Sequence, residues 1–236
     1  MKVPSVFAAS IICISVLATA LSVSLPAQKN APASVLQADK GKFNILLDGK
    51  SVGKEEFEIA PNGAGWLAKG TTEIKAEGSP TTQVTGNLTL QSNGAPMAYD
   101  WVSKTDKTNS AHITFANGIA KIALEVQGAQ PYEQDLSFNS PLVAVLDNNL
   151  YHHYAVLARI YDWSKRGPQT LPVLIPQEIT PGSITAEATG SATSGGKTYE
   201  GLRVTTSDIE VLLLLDSNHR LMRLEVPAMK VAVVRE

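Results

Sequence analysis

The residues best suited to metal or acid–base chemistry in this sequence are four histidines, His112, His152, His153 and His219. His152 and His153 are adjacent in a segment of helical periodicity, so their side chains lie about 100° apart around the helix axis. Metal ligands on one helix are usually three or four positions apart, because those positions share a face. His112 and His219 have no acidic partners at the spacing of a metal site. The pattern predicts no metal site, and it favours a histidine pair that faces solvent or the edge of the core.

Nucleophilic catalysis is not indicated either. Serine, histidine and aspartate residues are present, but their spacing does not join them into a hydrolase triad. Leu46-Leu47-Asp48-Gly49 is similar to the loop of aspartic proteases, yet it lacks the hydroxyl residue between Asp and Gly, and a hairpin turn explains it better. Cys13, the only cysteine, precedes the expected mature chain, which excludes disulfides and thiol catalysis there. We predict no catalytic residue and no cofactor.

Aromatic residues could instead line a ligand cavity. Tyr154, Tyr161 and Trp163 lie in or just after the helical segment, and Trp101 comes from a strand. In a half-open barrel, such side chains can face an apolar cavity. Arg159, on the same helix, could reach a buried carboxylate or an anionic head group. These five residues are the predicted ligand-binding residues. The alternative is that the aromatic residues pack in the core and that Arg159 belongs to the solvated helix face.

The elements that would position these residues are mostly β-strands. Between residues 43 and 138, short alternating runs are separated by turn signals such as Asp48-Gly49, Asn93-Gly94 and Asn117-Gly118. Short turns make neighbouring strands antiparallel. The sequence therefore predicts a mainly β fold, an antiparallel meander of about 12–14 strands curled into a half-barrel or open barrel. Residues 209–215 are almost wholly apolar and are expected to form a central strand buried on both faces.

One long helix is predicted over residues 147–163. Its apolar residues recur at steps of four, four, three and four, which is the helical period: Leu146, Leu150, Tyr154, Leu157 and Tyr161. The segment that follows, Lys165-Arg166-Gly167-Pro168, is typical of a helix end. A long sheet must cover its apolar face or curl on itself. We therefore expect this helix to pack on the concave face of the sheet.

The first residues have the pattern of a secretory signal peptide. Lys2 provides a positive charge, residues 6–16 are apolar, and Ala18-Thr19-Ala20 is a small-x-small cleavage site. We predict a signal peptide over residues 1–27, a flexible leader over 28–40 and a single β-rich domain over 41–236, in a periplasmic or secreted protein. If the signal segment stays uncleaved, it is the expected contact with a membrane. A net charge of -2 provides no basic field for nucleic acid.

Three stretches of the sequence resemble a family of exported bacterial β-rich domains of unknown function. The first combines an apolar strand with Asp-Gly-Lys and Val-Gly, the second ends in Arg159 and an aromatic residue, and the third joins Val-Thr-Thr to an Arg-containing strand (residues 43–57, 147–161 and 199–225). Related domains precede α/β-hydrolase domains in larger exported proteins, a partner that this sequence is not expected to carry. The sheet is also similar to the half-barrel of envelope lipoprotein carriers, which hold acyl chains, although fold does not fix function.

Together these features predict an exported, non-enzymatic β-sheet domain that binds an apolar or amphipathic small molecule, or an envelope protein, in a concavity covered by the helix. One alternative is an accessory module or degenerate relative of an exported hydrolase. Another is a purely structural envelope protein. A lined apolar cavity would favour the first function, titratable residues converging in a cleft the second, and a filled interior the third.

Overall fold

The computed structural model describes residues 34–75 and 77–236, which form fifteen β-strands and one α-helix. The predicted signal peptide lies outside the described residues. The strands before the helix are β1 (Asp39–Leu47), β2 (Lys50–Asn62), β3 (Gly65–Ile74), β4 (Thr82–Leu90), β5 (Pro96–Lys104), β6 (Thr108–Ala116), β7 (Ile119–Val126), β8 (Tyr132–Ser137) and β9 (Ala144–Val145). The later elements are α1 (His152–Ile160), β10 (Gln169–Ile175), β11 (Thr180–Ser194), β12 (Lys197–Thr205), β13 (Glu210–Leu215), β14 (Leu221–Val226), a 3-10 helix (Pro227–Met229) and β15 (Val231–Arg235).

All strands of the described residues belong to one curled sheet, and their order follows the chain in two runs. β8 forms one edge, and the order returns strand by strand to β1. β1 pairs with β15, and the second run continues from β15 back to β9 at the other edge. The pairs are antiparallel except for β9 with β10, which are parallel. The predicted antiparallel meander is confirmed, with one strand more than the predicted range.

Tight turns explain why consecutive strands pair. Asp48 and Gly49 between β1 and β2 have φ values of 49° and 78°, and Asn117 and Gly118 between β6 and β7 have 52° and 76°. A two-residue type I′ turn requires positive φ at both central positions, which Asp-Gly and Asn-Gly adopt at little steric cost. These turns fix the register of the flanking strands, as the sequence predicts.

One face of each strand supplies the core. On β13, Val211, Leu213 and Leu215 are buried, whereas Leu212 and Leu214 on the opposite face are only partly buried. Ile209 precedes the strand and is 40% exposed. The prediction that residues 209–215 are buried on both faces is therefore wrong. The physical reason is that an antiparallel sheet of this kind covers one face with its own interior and leaves the other towards solvent.

Helix α1 is shorter than the predicted helix over residues 147–163. Asp147 begins a turn instead, because its Oδ1 accepts a hydrogen bond from the backbone N–H of Asn149 at 2.9 Å, and Asp147 forms a β-bridge with Leu150. At the other end, Tyr161 leaves the helical conformation with ψ of 129°. The helix therefore occupies nine residues, and the turn before it carries several of the polar contacts described below.

The helix packs inside the curl of the sheet, as expected for the concave face. It contacts β3 in the first run of strands and β14 in the second. Leu150 and Leu157 are 0% and 1% exposed, and Ala155, Val156 and Ala158 on other sides of the helix are also buried. Burial on several sides distinguishes this helix from an amphipathic cover with one solvated face. The described interior of the sheet is filled by α1 and the strand side chains.

The last part of the predicted leader, residues 28–40, is docked on the domain. The backbone N–H of Val35 donates to the carbonyl of Ser92 at 3.0 Å, and Leu36 is 3% exposed. β1 already begins at Asp39. Within the described residues, no helix has the length and apolar character needed to cross a bilayer.

Candidate functional site

The carboxyl group of Glu55, on β2, caps the N-terminus of α1. Its Oε2 accepts a hydrogen bond from the backbone N–H of Tyr151 at 2.8 Å, and its Oε1 accepts one from the N–H of His152 at 3.2 Å. The first N–H groups of a helix have no partner within the helix, and the side chain at the N-cap position, Tyr151, makes no capping bond. A side chain of the sheet, 97 residues earlier in the chain, therefore determines where the helix begins.

Glu55 also contacts the imidazole of His152, and both side chains are 0% exposed. The Oε1 of Glu55 lies 2.5 Å from Nδ1 of His152. Burial raises the pKa of Glu55 to about 8, against the opposing effect of the two backbone N–H groups. Burial lowers the pKa of His152 to about 3. Both groups are therefore neutral near pH 7, and the carboxyl O–H donates to Nδ1 of the imidazole.

Two glycines make the room that this arrangement needs. Gly70 on β3 lies opposite Gly86 on β4. A Cβ atom at Gly70 would lie 2.6 Å from Cε1 and Nδ1 of His152, and one at Gly86 would lie 2.4 Å from Cδ1 of Leu150. Side chains at these two positions would displace the start of α1 from the sheet. The glycine pair is therefore the surface on which the helix start rests.

A second set of buried polar contacts surrounds Asp147, which is 2% exposed. The hydroxyl of Tyr99 and the Nε2 of Gln177 both donate to Oδ2 of Asp147 at 2.7 Å. The backbone N–H of Asp147 donates to Nδ1 of His153 at 3.2 Å. Burial, together with the nearby His152, lowers the pKa of His153 to about 3. These contacts hold the turn before α1 in place.

The predicted position of the histidine pair is therefore wrong, because His152 and His153 are 0% and 1% exposed. Glu55 was not among the predicted residues. Strand alternation nevertheless contains the signal, since Glu55 falls on the same face of β2 as the buried Phe57 and Ile59. We call the five residues Glu55, Tyr99, Asp147, His152 and His153 the buried polar cluster. Among the described residues, no group of three His, Cys, Asp or Glu side chains has the arrangement needed to hold a metal ion.

A cavity of about 370 Å³ adjoins Asp147. It lies between the turn before α1, the helix residue Tyr154 and the strands β10 to β13. Its apolar wall consists of Leu146, Val173, Ile175, Ile184, Val204, Ile209 and Val211. Its polar lining includes Asp147, Asn148, Glu178, Ser183, Thr206, Ser207 and Asp208. Small-molecule sites combine apolar walls, which provide contact area, with polar groups that orient the ligand, and this lining supplies both. We call this space the β10–β13 cavity.

A larger depression, of about 500 Å³, lies over strands β2 to β4, but its character is different. Its lining includes the outward-facing charged residues Lys54, Glu56 and Glu73. A broad depression lined by exposed charged side chains offers little apolar contact to a ligand. The β10–β13 cavity is the better candidate because it combines an apolar wall with a limited opening.

Among the five predicted ligand-binding residues, the structure brings Tyr154 to the β10–β13 cavity. Trp101 is 8% exposed and belongs to the core. The hydroxyl of Tyr161 donates to the carbonyl of Gly167 at 2.8 Å and accepts from the N–H of Ala188 at 3.1 Å. Trp163 stacks on the His219 ring at a centroid distance of 4.0 Å. These three aromatic residues are thus not gathered around the cavity with Tyr154.

Arg159 is half-buried and makes no ion pair among residues 34–75 and 77–236. Burial lowers its pKa, while the charges of Asp39 and Asp216 oppose that effect. Each of these carboxylates has another arginine as its close partner, Arg235 for Asp39 and Arg220 for Asp216. The predicted contact between Arg159 and a buried carboxylate is therefore not made as a direct ion pair.

Ser51 lies in a sequence pattern that is found around the catalytic serine of some hydrolases. Residues 49–53, Gly-Lys-Ser-Val-Gly, match the Gly-x-Ser-x-Gly pattern of the nucleophile elbow. That elbow is a turn between a strand and a helix, whereas these residues form the turn and second strand of the β1–β2 hairpin. Ser51 is exposed, and its hydroxyl donates to Oδ1 of Asn44 at 2.5 Å. The match is a hairpin and provides no catalytic serine.

The buried polar cluster predicts a stability maximum near neutral pH. The unfolded-state pKa of histidine is 6.5, whereas His152 and His153 have pKa values of about 3 in the folded chain. Below pH 6.5 only the unfolded chain protonates them, so their contribution to stability falls as the pH falls. The pKa of Glu55 is 4.5 in the unfolded chain and about 8 in the folded chain. Between these pH values only the unfolded chain ionises Glu55, so its contribution to stability falls as the pH rises. Between pH 4.5 and 6.5 the unfolded chain therefore binds about one proton more than the folded chain, and stability rises with pH. Between pH 6.5 and 8 the folded chain binds about one proton more, and stability falls with pH. Urea unfolding from pH 5 to 8 measures this profile.

One variant and one control test whether Glu55 causes the loss of stability above pH 7. Glu55→Gln should remove most of the decline between pH 7 and 8, because glutamine does not ionise. His112→Gln is the control, since His112 is 59% exposed and paired with Asp100 at the surface, and it should leave the profile unchanged. A free energy of unfolding that stays constant from pH 5 to 8 would contradict the assignment.

A curled sheet that encloses one buried helix, with a polar cluster at the helix start, defines a β-barrel-like domain. Its fold is similar to the crystal structure of a β-barrel-like protein of the domain of unknown function DUF1849 from Brucella abortus, with a TM-score of 0.56 and 9% identity over 84% of this chain and 94% of that chain. A DUF1089 family protein from Pseudomonas aeruginosa has a TM-score of 0.49 and 10% identity over 76% of this chain and 91% of that one. No family model and no curated protein matches the sequence. The first likeness confirms the expected resemblance to uncharacterised β-rich domains, and it concerns the fold alone.

Proposed function

We propose that this domain binds one small apolar or amphipathic molecule in the β10–β13 cavity, outside the cytoplasm after export. The observation that carries the proposal is the cavity itself. Its volume of about 370 Å³ falls within the range of roughly 300–1,000 Å³ that small-molecule sites occupy. The wall presents seven aliphatic side chains, and Tyr154 adds an aromatic ring.

The buried polar cluster favours a binding function over a catalytic one. Its titratable groups converge, but their exposed fractions lie between 0% and 2%, and of the five residues only Asp147 lines the β10–β13 cavity. A catalytic acid or base must come within hydrogen-bond reach of its substrate. Glu55, His152 and Tyr99 are instead used in holding α1 and its preceding turn against the sheet. The cluster therefore has a structural role in this conformation.

A structural envelope protein is the second candidate, and one observation favours it. α1 and the strand side chains fill the interior of the curl, where the acyl chains of a half-barrel carrier would lie. A domain without a ligand would need only this filled interior. The two candidates differ in whether the β10–β13 cavity accepts a molecule from solution.

Titration with n-octanol tests the binding function. We expect saturable binding by calorimetry and a rise in melting temperature, because a ligand of the folded state stabilises it by mass action. Val211→Phe should weaken this binding at least about tenfold, since its ring would occupy the cavity that Val211 lines. Val234→Phe is the matched control. It places the same ring on β15, at a position outside the cavity lining, and should bind octanol as the unmodified protein does.

Ile209→Phe provides a second blocking variant if Val211→Phe fails to fold. Ile209 also lines the cavity but is 40% exposed, so a larger side chain there need not enter the core. Absence of octanol binding by the unmodified protein would overturn the binding function and favour the structural candidate. Equal binding by the blocked and control variants would place the octanol elsewhere and overturn the assigned site.

A further inference from the structure

We infer that the ligand of the β10–β13 cavity is a single-chain amphiphile with a cationic head group, such as a protonated amine. This inference rests on the proposed binding function and specifies its ligand class. It follows from the charges around the cavity, the hydrogen bonds that Asp147 already makes, and the size of the space.

The lining of the cavity carries negative charge alone. Asp147, Glu178 and Asp208 belong to it, and none of its sixteen lining residues is Lys, Arg or His. Glu178 and Asp208 lie in different turns, between β10 and β11 and between β12 and β13, and both are exposed. None of the three carboxylates has an ion-pair partner among the described residues.

Asp147 is the distinctive member of this set because it is buried. Its oxygens accept hydrogen bonds from three neutral donors, the hydroxyl of Tyr99, the amide of Gln177 and the backbone N–H of Asn149. These donors stabilise a carboxylate without supplying a positive charge. A buried carboxylate of this kind favours a cation and disfavours an anion at short range, since screening by water is reduced there.

Tyr154 supplies a neutral acceptor on the same lining. Its hydroxyl forms no hydrogen bond with any of the residues that the structure describes. Burial raises its pKa to about 12, so the phenol stays protonated at neutral pH. A phenol oxygen can accept a hydrogen bond from an ammonium group, and the aromatic face also attracts cations. An anionic head group would meet neither a cationic partner nor a favourable potential here.

The volume restricts the apolar part of the ligand. About 370 Å³ lies near the lower end of the range for small-molecule sites. A space of this size suits one short chain or one small ring system. A molecule with several long acyl chains, as held by lipoprotein carriers, would exceed it.

Three probes of equal chain length test the head-group preference: n-octylammonium, n-octanol and n-octanoate. At pH 7 and low ionic strength, the first is cationic, the second neutral and the third anionic. We expect octylammonium to bind about tenfold more tightly than octanol, and octanoate to bind more weakly than octanol. The preference should shrink at higher salt concentration, because screening weakens the contribution of the exposed carboxylates.

Paired variants separate local charge from net charge. Glu178→Gln with Asp208→Asn removes two negative charges from the cavity lining and leaves Asp147 and the core intact. Asp106→Asn with Glu133→Gln removes two negative charges from exposed positions elsewhere. We expect the first double variant to lose the part of the octylammonium preference that the exposed carboxylates contribute, while Asp147 keeps the rest and octanol still binds. The second should keep the preference of the unmodified protein.

The outcomes distinguish this inference from the function on which it rests. Octanoate binding as tight as that of octylammonium would overturn the cationic ligand class while the apolar site stands. The same holds if both double variants lose the preference equally, because the effect would then come from net charge. If none of the three probes binds, both the ligand class and the proposed function are overturned.

Discussion

Replacing Glu55 by alanine is expected to lower the free energy of unfolding by about 3–5 kcal/mol, because each buried polar group left without a partner costs about 1–3 kcal/mol. The substitution deprives the N–H groups of Tyr151 and His152, and the imidazole of His152, of one shared partner. It also leaves a void beneath the helix start. Urea unfolding followed by circular dichroism at pH 7 measures the change.

Two further variants show whether the hydrogen bonds of Glu55 to the start of α1 account for this loss of stability. Glu56→Ala, one residue further along β2, removes a side chain that is 66% exposed and paired with Lys42, so it should cost less than about 1 kcal/mol. Glu55→Gln keeps the shape and one acceptor, and its amide can donate to Nδ1 of His152 as the neutral carboxyl does. It should therefore retain most of the stability at pH 7. A loss for Glu55→Ala no larger than for Glu56→Ala would refute the capping role.

Replacing Leu157 by aspartate should destabilise the domain even more, to the point that it does not fold at 25 °C. Leu157 is 1% exposed at the centre of α1. Removing a buried leucine side chain costs about 2–5 kcal/mol, and an unpaired carboxylate in its place adds a further desolvation penalty. A total of this size approaches the whole stability of a typical domain, about 5–15 kcal/mol. Near-ultraviolet circular dichroism and thermal unfolding report the loss.

The same substitution at an exposed leucine provides the control. Leu47 at the end of β1 is 41% exposed, and Leu47→Asp should change the free energy of unfolding by less than about 1 kcal/mol. Leu157→Met, which nearly conserves volume, should cost less than about 1.5 kcal/mol. An unchanged melting temperature for Leu157→Asp would mean that this face of α1 meets water, which would remove the helix from the interior of the sheet.

The strands were predictable because the signals that create them are local. Asp48-Gly49 and Asn117-Gly118 set their hairpins through the conformations of two residues each, and alternation fixes which side chains face inward. The ends of α1 were not predictable in this way. Its start depends on Glu55, a residue of β2, and on the turn that Asp147 closes with Asn149. A periodic pattern of apolar residues continues across that turn, so it predicts a longer helix than the one formed.

The site was only partly predictable for the same reason. Tyr154 lies on the cavity because it belongs to α1, and the helical period alone places this residue in a helix. The burial of His152 and His153 depends instead on Gly70, which leaves room for the imidazole, and on a carboxyl partner far away in sequence. Nothing in the local pattern of two adjacent histidines encodes either condition. Alternation places Glu55 inward, but it does not reveal which side chain the carboxyl will meet.

The pairing of β1 with β15 has a consequence for the order of folding. Each run of the sheet grows by hairpins between consecutive strands, but these two strands join residues as distant in sequence as Asp39 and Arg235, whose side chains form a buried ion pair. Contacts of such long range form slowly, because closing the long intervening segment costs conformational entropy before the contact stabilises the chain. While a chain emerges stepwise during synthesis, the free edge of β1 stays open until β15 is available. An open edge can pair with another molecule, so before β15 arrives the unpaired edge of β1 is a place where the incomplete chain can aggregate or bind a chaperone.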